Sequence, residues 1–193
     1  MKEVSPELIR FLSNAFAREL DLATIAACYD GVADELLHGA AGTDQLIQEM
    51  KTWSNAQETQ RRLAISYGSV FLAGGREAAP LYASAWQGNG TLMSTPHYRM
   101  LSLLKQAGKE VANSYSEPAD HLAIMLEYLA ICLEGHHAAP DAAQFASSDI
   151  SPWYRGFSKK VHRHSESDPF YLSLVKITEA VVEDLKTSIV KVE

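Results

Sequence analysis

The feature that most constrains the fold is an apolar segment, residues 122–133, that directly follows a short polar run. Its large apolar residues recur at helical spacing, and Ile124 and Tyr128 lie off that stripe. A helix that is apolar on more than one side is normally buried inside a domain. The segment therefore predicts a central helix against which the other elements pack.

The polar run Glu117-Pro118-Ala119-Asp120-His121 predicts the start of this helix. Proline is favoured in the first helical turn, because its missing N–H would have no partner there. Acids in that turn are stabilised by the helix dipole, and helical spacing places Glu117 on one face with Asp120 and His121. Two interpretations stay open at this point. The run is either a helix start in which His121 pairs with Glu117, or a recognition site at the mouth of a buried helix.

Helical periodicity recurs along the chain, and no stretch alternates apolar and β-branched residues as a strand does. The fold class predicted is all-α, a helical bundle in which residues 1–193 form a single domain. An irregular loop is expected at about residues 74–95, where glycines and a proline interrupt helical spacing. Other helices are expected at about residues 6–20, 22–37, 43–53, 55–73 and 96–108. A short helix is expected from Pro140, another helix after a break at 147–149, and the last helix from Pro169 onward.

Composition and charge narrow the functional classes. The net charge of −7 disfavours a nucleic-acid binder, which needs a basic face, and favours encounter with a basic peptide. No apolar run approaches the roughly 20 residues of a membrane span, and the amino terminus lacks the pattern of a secretory signal. We therefore expect a cytoplasmic protein. Cys28 and Cys132 lie amid apolar helical residues, which predicts buried thiols rather than a disulfide.

Neither a metal site nor a phosphate-binding loop is predicted. The pairs His136-His137 and His162-x-His164 cannot present one set of ligands from regular helices, and no cysteine cluster accompanies them. Gly74-Gly75 lacks both the preceding strand and the Gly-Lys-Ser/Thr ending of a P-loop.

Several segments resemble one known family in order and spacing. They are the run from Glu117 to Ile124 with Leu126-Glu127 and Leu129, the segment Tyr67-Gly-Ser-Val-Phe71-Leu72, the segment Pro80-Leu81-Tyr82-Ala-Ser84-Ala-Trp86, and the closing Trp153, Phe157 and Phe170-Tyr171. Together they resemble the TorD/DmsD family over roughly residues 60 to 185, closest to the TorD branch. Leu81 departs from the family's Pro-Tyr-x-Ser-x-Tyr pattern. Trp86 replaces a tyrosine, keeping an N–H donor but losing the hydroxyl acceptor.

The resemblance implies a cytoplasmic chaperone for molybdenum-containing reductases, not an enzyme; the TorD branch serves trimethylamine N-oxide reductase. Such chaperones bind the twin-arginine leader of a reductase precursor, or its apo body, until the molybdenum cofactor is inserted. Proteins of molybdenum cofactor biosynthesis are further implied partners, and no nucleic acid or membrane span is implied. No tightly bound cofactor is implied, although weak GTP binding is. The implied leader- or partner-binding residues are Tyr67, Phe71, Tyr82, Ser84, Trp86, Glu117, Pro118, Asp120 and His121.

The residue types suit a leader, which places an apolar core beside two arginines. Aromatic side chains bury apolar surface at about 25 cal/mol per Å², and Glu117 and Asp120 can accept charge-assisted hydrogen bonds from guanidinium groups. Tyr67 and Phe71 equally fit a core stripe. The alternatives are a helical adaptor that recognises another partner without leader binding, or a nucleotide-binding enzyme, which lacks a recognisable nucleophile or oxyanion loop here. A monomer, or a dimer that exchanges segments at the 74–95 loop, is expected.

Overall fold

The computed structural model describes residues 4–31, 37, 42–135 and 141–189, and confirms the all-α prediction. Within these ranges, β-structure is confined to one bridge between Tyr82 and His121. No helix in the described part of the chain combines the length and apolarity needed to cross a membrane. The helices are α1 (Pro6–Ala17), α2 (Leu22–Tyr29), α3 (Thr43–Lys51), α4 (Ala56–Tyr67), α5 (Ala83–Trp86), α6 (Thr95–Gln106), α7 (Leu122–Leu133), α8 (Ala142–Phe145), α9 (Ser151–Arg163) and α10 (Pro169–Ile189).

Helix α7 is the central helix that the sequence predicts. Ten of its twelve residues are buried, and Leu126, Tyr128 and Leu129 are fully enclosed. Helix α1 packs along it, and Ser13 Oγ donates to the Ala123 carbonyl at 2.7 Å. Arg10 of α1 bridges two α7 carboxylates, at 3.0 Å to Glu127 and 2.7 Å to Glu134. These polar contacts fix the register of the two helices.

The start of α1 follows from its sequence. The Ser5 hydroxyl accepts from the Leu8 N–H at 3.2 Å, and Pro6 occupies the first helical position, where no N–H is needed. The stripe of Leu8, Leu12 and Phe16 is buried in the core, as helical spacing predicts.

An aromatic cluster joins α1, α4, α9 and α10, with Phe71 at its centre. The Phe71 ring lies 5.2 Å from Tyr67, 5.4 Å from Tyr171, and 6.1 Å from both Phe16 and Phe157, measured between centroids. All five rings are buried. Edge-to-face aromatic pairs contribute about 0.5–1.5 kcal/mol each beyond the burial of their surface. Phe71 and Tyr67 are therefore core residues in this conformation.

Two expected boundaries are wrong, and the expected loop contains a short helix. The helix expected over 22–37 ends at Tyr29, where Gly31 turns the chain with φ 78°; residues 32–36 and 38–41 lie outside the described ranges. The break expected at 147–149 is absent, because α8 continues through a π-helical turn, Ala146–Ile150, into α9. A second π-helical turn, Gly68–Leu72, extends α4. The loop expected at 74–95 contains α5.

Candidate functional site

The run from Glu117 to His121 precedes α7 rather than opening it. His121 is the N-cap, with φ −64° and ψ 137°, and the helix begins at Leu122. The Pro118 carbonyl accepts from the His121 N–H at 2.9 Å, which closes a turn. The prediction that Pro118 lies in the first helical turn, and that Glu117 and His121 share a helical face, is therefore wrong. The physical reason is that the backbone here pairs with another segment instead of with the helix.

That other segment is residues 80–86. The Leu81 carbonyl accepts from the Leu122 N–H at 2.7 Å, and the Ala83 N–H donates to the Asp120 carbonyl at 3.1 Å. These two bonds form the antiparallel bridge between Tyr82 and His121. We call residues 80–86 together with residues 117–122 the bridge unit. Two stretches that are distant in sequence thus act as one structural element.

His121 is buried and neutral. Its Nδ1 accepts from the Ala123 N–H at 3.2 Å, which places the proton of the neutral ring on Nε2, and the Tyr115 hydroxyl lies 3.2 Å from the same atom. Burial lowers the pKa of His121 to about 4, because desolvation outweighs the attraction of Glu117 and Asp120. Tyr82 and Tyr115 contact the ring edge-on, at centroid distances of 5.1 and 5.9 Å. The side chain caps a helix rather than pairing with Glu117.

Asp120 is fully buried, and its carboxylate is incompletely satisfied. Oδ2 accepts from the Ser84 N–H at 2.7 Å, whereas Oδ1 and the Ser84 hydroxyl have no hydrogen-bond partner among the described residues. His97 Nδ1 lies 3.8 Å from Oδ1, but it already accepts from the Ala119 N–H at 2.9 Å. A buried polar atom without a partner is costly, and it calls for a structural or functional explanation.

The mouth of the bridge unit consists of half-buried side chains. The Tyr82 hydroxyl donates to Glu117 Oε2 at 2.7 Å, and burial, together with this carboxylate, raises the pKa of Tyr82. The Trp86 Nε1–H donates to the Pro80 carbonyl at 2.8 Å. Its ring covers Gly156, where a Cβ atom would lie 3.5 Å from Trp86 Cε3. An acid and two aromatic rings are therefore among the half-buried side chains of the unit that contains Asp120.

The structure divides the predicted binding residues into three groups. Core residues form the first group, buried members of the bridge unit the second, and half-buried members at its mouth the third. In this conformation only the third group reaches the surface, and a role of any of the three groups in binding a leader stays a prediction. The groups are Tyr67 and Phe71; Ser84, Asp120 and His121; and Tyr82, Trp86, Glu117 and Pro118.

Sequence reasoning missed three residues of the site. Tyr115 lies in an irregular segment, so no periodicity points to its contact with His121. His97 accepts from the backbone beside Asp120, yet it reads as a lone histidine in α6. Gly156 gives Trp86 its place on α9, and nothing in the surrounding sequence indicates that contact. His97 and Gly156 act across chain separations that local patterns do not report, whereas Tyr115 lies only six residues from His121.

The described residues contain no group of three or more side chains arranged to hold a metal ion. Gly74 and Gly75 are followed by an irregular segment up to Leu81 instead of by a helix. Their N–H groups therefore do not converge at a helix N-terminus, as they do in a phosphate-binding loop.

Comparison with known proteins places the chain in a family. Residues 36–159 match the family model described as nitrate reductase delta subunit. The chain is 30% identical to the chaperone protein TorD of Shewanella loihica, over 88% of this chain and 85% of that protein. It is 31% identical to TorD of Vibrio cholerae, over 77% and 70%.

A redox enzyme maturation protein from Archaeoglobus fulgidus, of known crystal structure, shares the fold with a TM-score of 0.60. That match covers 96% of both chains at 20% identity. The curated relatives are chaperones, and their similarity spans most of both chains. The chain belongs to this TorD-like family, and it is a chaperone rather than an enzyme.

Proposed function

We propose that the chain is a cytoplasmic chaperone that binds the twin-arginine leader, or the apo body, of a molybdoenzyme reductase precursor and assists insertion of the molybdenum cofactor before export. The client class proposed is a trimethylamine N-oxide reductase or a related S- or N-oxide reductase. The similarity to TorD chaperones over most of both chains supports this proposal. Proteins of molybdenum cofactor biosynthesis would be further partners, and the chain would act as a monomer or a segment-exchanged dimer.

The observation that supports leader binding is Oδ1 of Asp120, which is fully buried without a described partner in the same bridge unit that presents Glu117 and Tyr82 at its mouth. A guanidinium group would supply the missing donors, in a charge-assisted hydrogen bond worth about 1.5–3 kcal/mol. Because Asp120 is fully buried, residues 80–86 must move away from it before an arginine can enter. Glu117 would attract the second arginine, and the half-buried rings of Tyr82 and Trp86 would contact the apolar core of the leader.

Calorimetry with synthetic twin-arginine leaders tests the proposal. Asp120→Asn keeps the shape of the side chain and removes its charge, so we expect leader affinity to fall by about 10- to 100-fold. Asp44→Asn, an exposed acid at the start of α3, removes the same charge and should leave affinity unchanged.

A leader whose arginines are replaced by alanine should bind Asp120→Asn and the unmodified protein equally weakly. Equal affinity of Asp120→Asn and the unmodified protein for the native leader would contradict the role given to Asp120. Binding of a leader-free reductase body, with no heat from any leader, would instead favour the helical adaptor. The arrangement of the described residues gives no support to the weak GTP binding that the family resemblance implies.

A further inference from the structure

Two adjoining cavities form a groove whose lining includes Tyr115 but no residue of the bridge unit. The first, of about 520 Å³, lies between α1, α7 and the segment 109–115. The second, of about 540 Å³, lies against the C-terminal half of α6. They share Leu104, Lys109 and Glu110, so they are continuous. We call both together the lateral groove.

An apolar strip runs along the lateral groove. Leu101 and Leu104 lie at the α6 end, Val111 lies in the middle, and Ile124 and Ile131 lie on α7. The strip continues onto an exposed face of α6, where Leu101 is 42% exposed and Tyr98, one turn earlier, is 65% exposed. Exposed apolar residues that adjoin a groove are typical of surfaces that bind another protein.

The charges in the lateral groove are arranged unevenly. At the far end, Arg10 already holds Glu127 and Glu134. At the α6 end and along α1, Lys105, Lys109 and Arg18 form no ion pair with any residue that the structure describes. Only Glu110 opposes these three cations among the lining residues there. The groove is therefore locally basic in a chain whose net charge is −7.

We infer that the lateral groove binds an acidic amphipathic helix of a partner protein. The apolar face of that helix would lie on Leu101, Leu104 and Val111, and its carboxylates would pair with Lys105, Lys109 and Arg18. The partner segment differs in charge from a twin-arginine leader, which the basic end of this groove disfavours. This surface would therefore operate together with the bridge unit, not in competition with it.

Two designed helical peptides test the inference by fluorescence anisotropy. They carry the same leucine face, with glutamates on the polar face of one and lysines on that of the other. We expect the acidic peptide to bind at least about tenfold more tightly than the basic peptide, and salt to weaken that binding. Lys105→Glu with Lys109→Glu should reverse the preference. Equal affinity of both peptides, or binding of neither, would overturn the inference.

The matched control is Lys159→Glu with Arg163→Glu, which makes the same charge change near the end of α9 and should leave the preference unchanged. Should the groove variant fail to fold, Leu101→Ser tests the apolar strip separately and should weaken the acidic peptide several-fold. Leader affinity of the groove variant should equal that of the unmodified protein. A loss of leader binding without a change in peptide preference would overturn the lateral groove as a separate site, whatever the outcome at Asp120.

Discussion

The aromatic cluster around Phe71 and the bridge unit around Asp120 differ in the kind of buried polar group that has no described partner: a tyrosine hydroxyl in the cluster, and a carboxylate oxygen with a serine hydroxyl in the bridge unit. In the cluster, every ring packs against others, the Tyr67 hydroxyl donates to the Phe16 carbonyl at 2.9 Å, and the Tyr171 hydroxyl has no partner among the described residues. In the bridge unit, the groups without a described partner are a carboxylate oxygen, Asp120 Oδ1, and the Ser84 hydroxyl. Both regions contain residues that the family resemblance implies for binding: Tyr67 and Phe71 in the cluster, and Ser84, Asp120 and His121 in the bridge unit. Their difference teaches that the same family pattern can contain residues that build the core and a buried carboxylate to which the proposed function assigns a ligand.

The largest effect expected comes from removing the centre of the cluster. Phe71→Ala should lower the free energy of unfolding by about 3–5 kcal/mol, because it deletes a ring packed on four others. Leu72→Ala is the matched control. The Leu72 side chain follows Phe71 in the sequence and is 60% exposed, so its truncation should cost less than about 0.5 kcal/mol. Urea unfolding of both variants provides the measurement. If the two variants are equally stable and only Phe71→Ala loses leader affinity, Phe71 lines a binding groove after all.

The next largest effect expected is a pH dependence of the free energy of unfolding, caused by His121 in the bridge unit. The pKa of His121 is about 4 in the folded chain, against a reference value of 6.5, so the unfolded state binds the proton more readily. The free energy of unfolding should fall by about 3 kcal/mol as pH drops from 6.5 to 4, with no contribution from this group above that window.

His121→Asn keeps a capping side chain and does not titrate, so its stability should decline less steeply with acid. Unfolding of both proteins at a series of pH values gives the difference. Parallel curves would mean that the imidazole of His121 is accessible to water in the folded protein.

The smallest effect on stability is expected from Tyr82, at the mouth of the bridge unit. Tyr82→Phe removes the hydrogen bond to Glu117 and should cost about 0.5–1.5 kcal/mol. Because Tyr82 lies on the segment that covers Asp120, the same change should speed hydrogen exchange of the Ser84 N–H, which donates to Asp120. Exchange measured by mass spectrometry on this segment, with the α7 amides as internal control, tests it. Faster exchange of α7 to the same extent would show global destabilisation rather than local opening.

The fold could be predicted because its main signal is local. Helical periodicity, the Ser5-Pro6 start of α1 and the buried α7 all depend on residues within a few turns of one another. The start of α7 could not be predicted, since residues 120–122 make backbone hydrogen bonds with residues 81–83. A local sequence pattern instead predicts that the backbone N–H and carbonyl groups of residues 120–122 form hydrogen bonds within the helix.

The site was predictable only in part, for the same reason. The family resemblance marked Tyr82, Ser84, Asp120 and His121, and the structure brings them together. It does not report that Asp120 is buried, which depends on packing from α6 and residues 80–86. The lateral groove gave no sequence signal at all, because α1, α6 and α7 line it from three distant parts of the chain.

The pairing of α1 with α7 also has a consequence during synthesis. Ser13 and its acceptor Ala123 are 110 residues apart, so the apolar stripe of α1 leaves the ribosome long before its partner exists. At about 5–20 residues per second, the delay is on the order of 5–20 s. Throughout that interval the apolar stripe of α1 lacks the surface of α7 that packs against it in the fold, although Tyr67 and Phe71, which contact Phe16, are made earlier. This chaperone therefore passes through the same exposed state, as a nascent chain, from which chaperones protect other proteins.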